Sequence, residues 1–339
     1  MFNPIEDIRK LLSNPIQHDG TFEVFQLEQK LSLYYDKEYC LLMSNASMAL
    51  YSCILCTDLE KKHVIAPAFG WSGSIASLLH FENRISFAEV DQDYCLDPHS
   101  IEELLLPDTE AIISIDTGGA AADSKRIADI AKAHGLLYIS DSAESLGACR
   151  DDLPAGAFAD VLVVSFTNGK TINTGEMGAL LTNEKWIYEK IVKYTQHPHR
   201  QKKVVGPTNW YPFSPLNSRV HPISAIVANS EFEMLERIMA LRLKNALHVI
   251  EELVQEGTIC QSQFVASRTT FFEYFAKKSK SENQYRKCDS SHDWFIHDDL
   301  TCYNLYDLTR LFYEKSVVTT NAIDLKSRID NTLKIQFNW

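Results

Sequence analysis

From Tyr39 to about Thr182 the chain alternates short apolar runs with stretches of helical spacing. CLLMS, HVIAPA, ISFAEVD, AIISID, LLYISD, VLVVSF and GALLT read as strands. Between and after them SMALYSCILC, SGSIASLLH, PHSIEELL, DSKRIADIAKAHG and EKWIYEKIVKY read as helices. Continuous rather than alternating apolar strands are those buried on both faces, so the pattern predicts an α/β fold, a mostly parallel sheet covered by helices. In such a sheet ligands gather at the carboxyl ends of strands. An apolar-periodic stretch follows, and the expected division is a large domain over 1–220, a bridging helix over 221–254 and a smaller α+β domain over 255–339. The polar run KKSKSENQYRKCDSSHD within the last part reads as loop.

The 339 residues, 45% hydrophobic and 23% charged, suffice for a sizeable core. A net charge of −12 argues against a nucleic-acid binder and an anionic membrane surface, since both ask for basic residues. The start of the chain, MFNPIEDIRKLLSNP, carries neither a basic segment followed by an apolar one nor a run of spanning length, which leads to the expectation of a cytoplasmic protein. The 8 cysteines are scattered, and the Cys53/Cys56 pair falls within a helix-like stretch, so small buried thiols are expected rather than zinc or a disulfide framework. The histidines of HPHR at 197–200 lack further ligands nearby, and no metal is expected.

Four segments sit where strands end. SNAS at 44–47 precedes a helix, with Ser47 placed as its N-cap and a helix start that suits a phosphate; taken alone, the segment favours a plain cap. PAFGWSGS offers Trp71 as a plate for a planar ligand, or as core packing. LYISDSAESLGA ends its strand on Asp141, a carboxylate that needs a cation if buried, or else a helix cap; Glu144 lies one helical turn on. SFTNGKTINTGEMGAL places Lys170 between two strands, where a lysine is ordinarily solvated. Phosphate turn, aromatic plate, aspartate and lysine in this order are what a phosphorylated pyridine aldehyde requires, and that ligand is pyridoxal 5'-phosphate (PLP).

The same residues carry a resemblance. VFQLEQKLSLYYDKEYCLLMSNASMAL, APAFGWSGSIAS, FAEVDQDYCLDPHSIEELL, ISDSAESLGA, SFTNGKTINTGEMGALLTN and LNSRVHPISAIVA, spanning Val24 to Ala228, resemble the ordered motifs of the DegT-like sugar aminotransferases. The resemblance implies a fold-type I PLP-transferase architecture. It implies Lys170 bonded to PLP, Asp141 keeping the ring nitrogen protonated, Trp71 stacked on the ring and Glu144 beside the cofactor. It further implies a phosphate held by Ala46, Ser47 and Ser165, and Asn217 reaching the phosphate of a neighbouring subunit in a homodimer. The expected activity moves an amino group from glutamate or a similar donor to a keto sugar, usually nucleotide-linked. The chain departs from the pattern at Ser140, at Met177 and at Asp116, which stands where the family's strand ends in V-H-x-x-G, and its tail is short. These departures keep open a PLP enzyme of different reaction, by elimination or cyclisation, while intact Lys170 and Asp141 weigh against a non-catalytic homologue.

Overall fold

The computed structural model describes residues 4–13, 21–260, 268–279, 294–297 and 300–337. Helices α1 (Pro4–Ser13) and α2 (Thr21–Tyr35) lead into strand β1 (Tyr39–Met43), and regular alternation follows. Its members are α3 (Ala46–Cys56), β2 (His63–Pro67), α4 (Gly73–His80), β3 (Arg84–Ala88), β4 (Thr109–Ile115), α5 (Ser124–His134) and β5 (Leu137–Asp141). A two-strand ribbon, β6 (Cys149–Arg150) and β7 (Leu153–Pro154), precedes β8 (Val161–Ser165) and β9 (Gly178–Thr182). Helices α6 (Lys185–Thr195), α7 (Pro198–Val205), α8 (Pro222–Phe232) and α9 (Leu235–Gln255) complete the large part.

The main sheet runs β1-β9-β8-β5-β4-β2-β3-β12, with the eighth strand, β12 (Val317–Thr320), arriving from late in the chain. Only the β1–β9 and β9–β8 pairs are antiparallel, so the sheet is mostly parallel as expected. The apolar strand runs follow from a core on each face. Val161 and Val163 point into a cluster with α3, α4 and α6, whereas Leu162 and Val164 point into one with α2, α8 and α9. Ile113 and Ile115 join the first cluster, and Ile112 packs against Ile127 and Ala131 of α5.

PHSIEELL is not one helix but two 3-10 turns, Pro98–Ser100 and Glu102–Leu104. Asp97 caps the first turn through the His99 N–H, and the chain is extended by Leu105, just before Pro107, whose ring disfavours helix at the residue ahead of it. Residues 221–254 carry two helices, α8 and α9, joined at 233–234. The segment from 255 onward divides between two sheets. Strands β10 (Glu273–Lys277), β11 (Trp294–His297) and β13 (Thr332–Phe337) form an antiparallel sheet packed on Ala246, Val249 and Leu253 of α9. Strand β12, with α10 (Leu305–Phe312) before it and α11 (Leu325–Asp330) after it, belongs to the main sheet. Most of the polar run expected as loop, 280–293, lies outside the described residues.

Candidate active site

The start of α3 forms one wall. The N-cap is Asn45 rather than Ser47: Asn45 is extended, and its Oδ1 accepts from the Met48 N–H at 2.8 Å. An amide oxygen two bonds beyond Cβ reaches that donor, so the helix begins two residues earlier than the Ser47 reading placed it. Ser47 is exposed in the first turn, and the Ala46 and Ser47 amides lead the helix ahead of the capped Met48 N–H. Strand register sets Met43, Gly178 and Ser165 in one row beside this turn. A Cβ on Gly178 would fall 2.4 Å from the Ala46 nitrogen, so glycine lets the strand end press against the helix start. Ser165 is buried, with its hydroxyl 3.1 Å from that of Thr167. The Ser44 hydroxyl meets that of Ser218 at 2.6 Å, and the Ser44 amide donates to the Ser218 carbonyl. Asn217 is thereby drawn to the same turn of its own chain, exposed and at φ +43°, a left-handed conformation that asparagine tolerates.

The other wall carries charge. Strand β5 ends on Asp141, which is buried, and burial pushes its carboxyl up; a hydrogen bond from Ser74 and the Ala143 N–H act against that, and so does the charge of Lys170. Lys170 lies between β8 and β9, its Nζ 3.3 Å from Glu144 Oε1 and 3.7 Å above the ring of Phe272. Burial also pushes the Glu144 carboxyl up, with Lys170 and the Gly118 N–H, which donates to Oε2 at 2.8 Å, opposing the rise. Amine and acids therefore face one space at the ends of β5 and β8. Trp71 sits just ahead of α4, 53% exposed, its ring 6.2 Å from that of Tyr303. It is open on one side, as a plate for a ligand must be, and is not core.

Several residues at the site carry no local sequence signal. Phe272, Tyr303, Glu273 and Lys334 come from the last quarter of the chain. Tyr303 donates to Glu273 Oε2 at 2.7 Å and Lys334 donates to Oε1 at 2.9 Å. Arg242, buried on α9, donates to the carbonyls of Gly169 at 3.0 Å and Lys170 at 2.8 Å. A cleft of about 740 Å³ opens behind Gly118 and Glu273, with Lys277 and Arg328 as its cations. Asp116 does not face the amine. It is buried and turned toward the 142–145 segment.

Away from the site, Cys40, Cys53, Cys56 and Cys95 are buried thiols, and burial pushes Cys56 up to about 12. His197 caps α7 by accepting from the His199 N–H. Among the described residues no helix is long and apolar enough to cross a membrane.

The residues present fit PLP. A helix start faced by a glycine that a Cβ would obstruct suits a phosphate, a desolvated aspartate suits a pyridinium nitrogen, and a lysine amine lies 3.3 Å from Glu144, its charge opposing the rise of Asp141. Known proteins agree in pattern. The chain is 26% identical over 213 residues to the GDP-perosamine synthase of Escherichia coli O157:H7, covering 62% of this chain and 57% of that protein, less than two thirds of the relative's length. It is 27% identical over 241 residues to the UDP-2-acetamido-2-deoxy-3-oxo-D-glucuronate aminotransferase of Pseudomonas aeruginosa, covering 69% and 65%. A crystal structure of a variant GDP-4-keto-6-deoxymannose-3-dehydratase with bound GDP-perosamine superposes with a TM-score of 0.83 at 19% identity, covering 98% of this chain and 92% of the other, which shows the shared fold. With the family pattern matched over residues 4–325, the chain belongs to the DegT/DnrJ/EryC1/StrS aminotransferase family.

Proposed function

We propose that the protein is a PLP-dependent aminotransferase that moves an amino group from glutamate or a similar donor to a keto sugar, nucleotide-linked in its natural form. The observation that carries this reading is the convergence of Lys170, Asp141 and Glu144 beside the start of α3. Family membership supports the reaction class, and relatives named for GDP- and UDP-linked sugars support the acceptor class.

When bound, PLP supplies an electron sink for the electrons released at the donor's Cα. The chain's residues do the rest. The α3 amides of Ala46 and Ser47, with Ser165 and Ser47 hydroxyls, would hold the phosphate, and Asn217, exposed at that turn, is the residue that would reach a neighbouring subunit's phosphate in a dimer. Asp141, ionised opposite the ring nitrogen, keeps a proton there and so keeps the sink strong. Trp71 covers one ring face. Lys170 would hold the cofactor covalently, and its amine, when free, would accept the proton lost from the donor's Cα. Glu144, anchored by the Gly118 N–H, keeps that amine beside the ring. The cleft behind Gly118 gives an elongated acceptor room, with both cations (Lys277, Arg328) and acids (Asp93, Glu273, Asp324) in its lining.

The proposal includes a cytoplasmic homodimer. Phe22, Phe25 and Leu33, 70%, 55% and 84% exposed on α2, form an apolar face that a second copy would cover. Buried thiols without a disulfide among the described residues fit a reducing compartment. Asp116, whose identity raised the alternative of different chemistry, is turned away from Lys170 and lends that alternative no support.

The test is spectroscopic. Purified protein given PLP should show a visible absorption band, and borohydride should fix the cofactor to Lys170. Lys170→Ala should abolish the fixation, and glutamate should convert the wild-type cofactor to pyridoxamine phosphate. Protein that stays colourless with added PLP would end the proposal, and a fixed cofactor that ignores every amino donor while another amino acid is consumed would redirect it to different PLP chemistry.

A further inference from the structure

We propose that Asp116 is the positioning residue of this site, holding the carboxylates of Asp141 and Glu144 in place through the turn that carries both. The inference rests on the PLP reading above for its functional meaning. Its geometry stands without it.

The sequence of the turn is Asp141-Ser142-Ala143-Glu144-Ser145. Each acid is followed directly by a serine, and both serines donate to one oxygen. Ser142 Oγ lies 2.5 Å and Ser145 Oγ 2.8 Å from Asp116 Oδ2. The other oxygen, Oδ1, accepts from the Ala122 N–H at 2.9 Å. Three donors thus end on one buried carboxylate, two of them from the turn and one from the loop after β4. The backbone ties the same two segments together, since the Asp116 N–H donates to the Asp141 carbonyl at 3.1 Å. Gly118, two residues after Asp116, donates to the Glu144 side chain. Gly119 packs so closely on the Glu144 carbonyl that a Cβ there would lie 2.9 Å from it. Between the serines, the Ala143 N–H donates to Asp141 Oδ1 at 3.1 Å. A turn pinned at both serines holds that amide, and through it the carboxylate, in one orientation.

The chemistry requires a strong acceptor at position 116. Without one, Ser142 would keep only the Ser140 hydroxyl at 3.1 Å and Ser145 only the Ser142 carbonyl at 3.3 Å, both longer than their bonds to Asp116, and the Ala122 N–H would lose its acceptor. Asparagine keeps one acceptor oxygen, for the serine pair or for the Ala122 N–H but not for both, and alanine keeps none. The family's strand ends on histidine at this place, and here the serine pair accompanies a carboxylate instead.

The experiment compares wild type, Asp116→Ala and Asp116→Asn in two arms. In the apo chain, hydrogen exchange of the peptide spanning 138–148 should be faster by on the order of 10-fold in Asp116→Ala, and faster by a smaller factor in Asp116→Asn. In the PLP-loaded protein, Asp116→Ala should bind PLP on the order of 10-fold more weakly and shift the pH midpoint of the cofactor's visible band, with Asp116→Asn restoring part of both. If Asp116→Ala does not fold, Asp116→Asn alone decides: faster exchange confined to 138–148 together with weaker PLP binding supports the inference, and wild-type exchange there or a general loosening of the whole chain overturns it. Unchanged exchange at 138–148 in Asp116→Ala also overturns it. A wild type that binds no PLP, with the exchange result as expected, counts against the PLP reading and leaves Asp116 as the anchor of the turn.

Discussion

Gly178→Ala tests the phosphate turn most directly. The new methyl carbon would lie 2.4 Å from the Ala46 nitrogen, 2.4 Å from the Asn45 carbonyl carbon and 2.7 Å from its oxygen. Ordinary contact begins near 3.4 Å, so the strand end and the helix start must separate by about 1 Å (3.4 − 2.4). Both obstacles are backbone, and β9 is hydrogen-bonded to β1 on one side and β8 on the other. Neither side swings away as a flexible side chain would. Overpacking of this kind costs ~1–3 kcal/mol, and the rigidity of both neighbours argues for the upper part. The backbone at 178 is not left-handed, so the steric clash is the whole effect, less up to ~1 kcal/mol recovered from the stiffer unfolded chain. The same displacement moves the Ala46 amide from its phosphate position, and a hydrogen bond to a charged group contributes ~1.5–3 kcal/mol, or roughly 10- to 100-fold in affinity. Urea denaturation of the apo protein and a PLP titration measure the two effects. Gly175→Ala is the control: it has open space but φ +83°, so it should lose ~1–2 kcal/mol of stability from backbone strain and keep its PLP affinity. A Gly178→Ala protein with wild-type stability and wild-type PLP affinity would refute the account of the turn.

Two further predictions concern stability alone. Glu28→Ala leaves Arg200 without the carboxylate at 2.7 Å and the Leu42 N–H without its acceptor, and should cost ~3 kcal/mol in urea denaturation, the low end for a broken buried pair because Arg200 is partly exposed; a loss under ~1 kcal/mol would show the pair to be solvated. Burial pushes Asp91 and Asp116 up to about 6 from an ordinary 3.8, so the folded chain binds these protons more tightly than the unfolded one. Their contribution to stability is fullest below about pH 4 and falls as pH rises through about 6, and Asp91→Asn should remove its share of that slope. A stability difference between wild type and Asp91→Asn that stays constant from pH 4 to pH 7 would contradict this.

The order of strands and helices was legible because burial on both faces writes itself as unbroken apolar runs, as in VLVVS at 161–165 and GALLT at 178–182. Lys170, Asp141 and Glu144 were legible because each falls where such a run ends. The N-cap was misplaced by two residues, since serine and asparagine both cap and the spacing of SNAS does not choose between Asn45 and Ser47. PHSIEELL carried helical periodicity, yet Pro107 so near its end left room only for single turns. Arg242, Phe272, Tyr303 and Lys334 were illegible because long-range packing brings them in from sequence 70 to 160 residues beyond the lysine's strand, roughly, and no local pattern encodes such a meeting. Asp116 was visible as a departure, but its direction became readable only once the serines of the turn were seen to converge on it.

The guanidinium of Arg242 grips the main chain at Gly169 and Lys170, and it rides on the helix that supports the three-stranded sheet. The three-stranded sheet and the main chain at Lys170 are therefore braced by one helix. Under the proposed function, a substitution far out on α9 would alter the setting of the Lys170 amine without touching substrate.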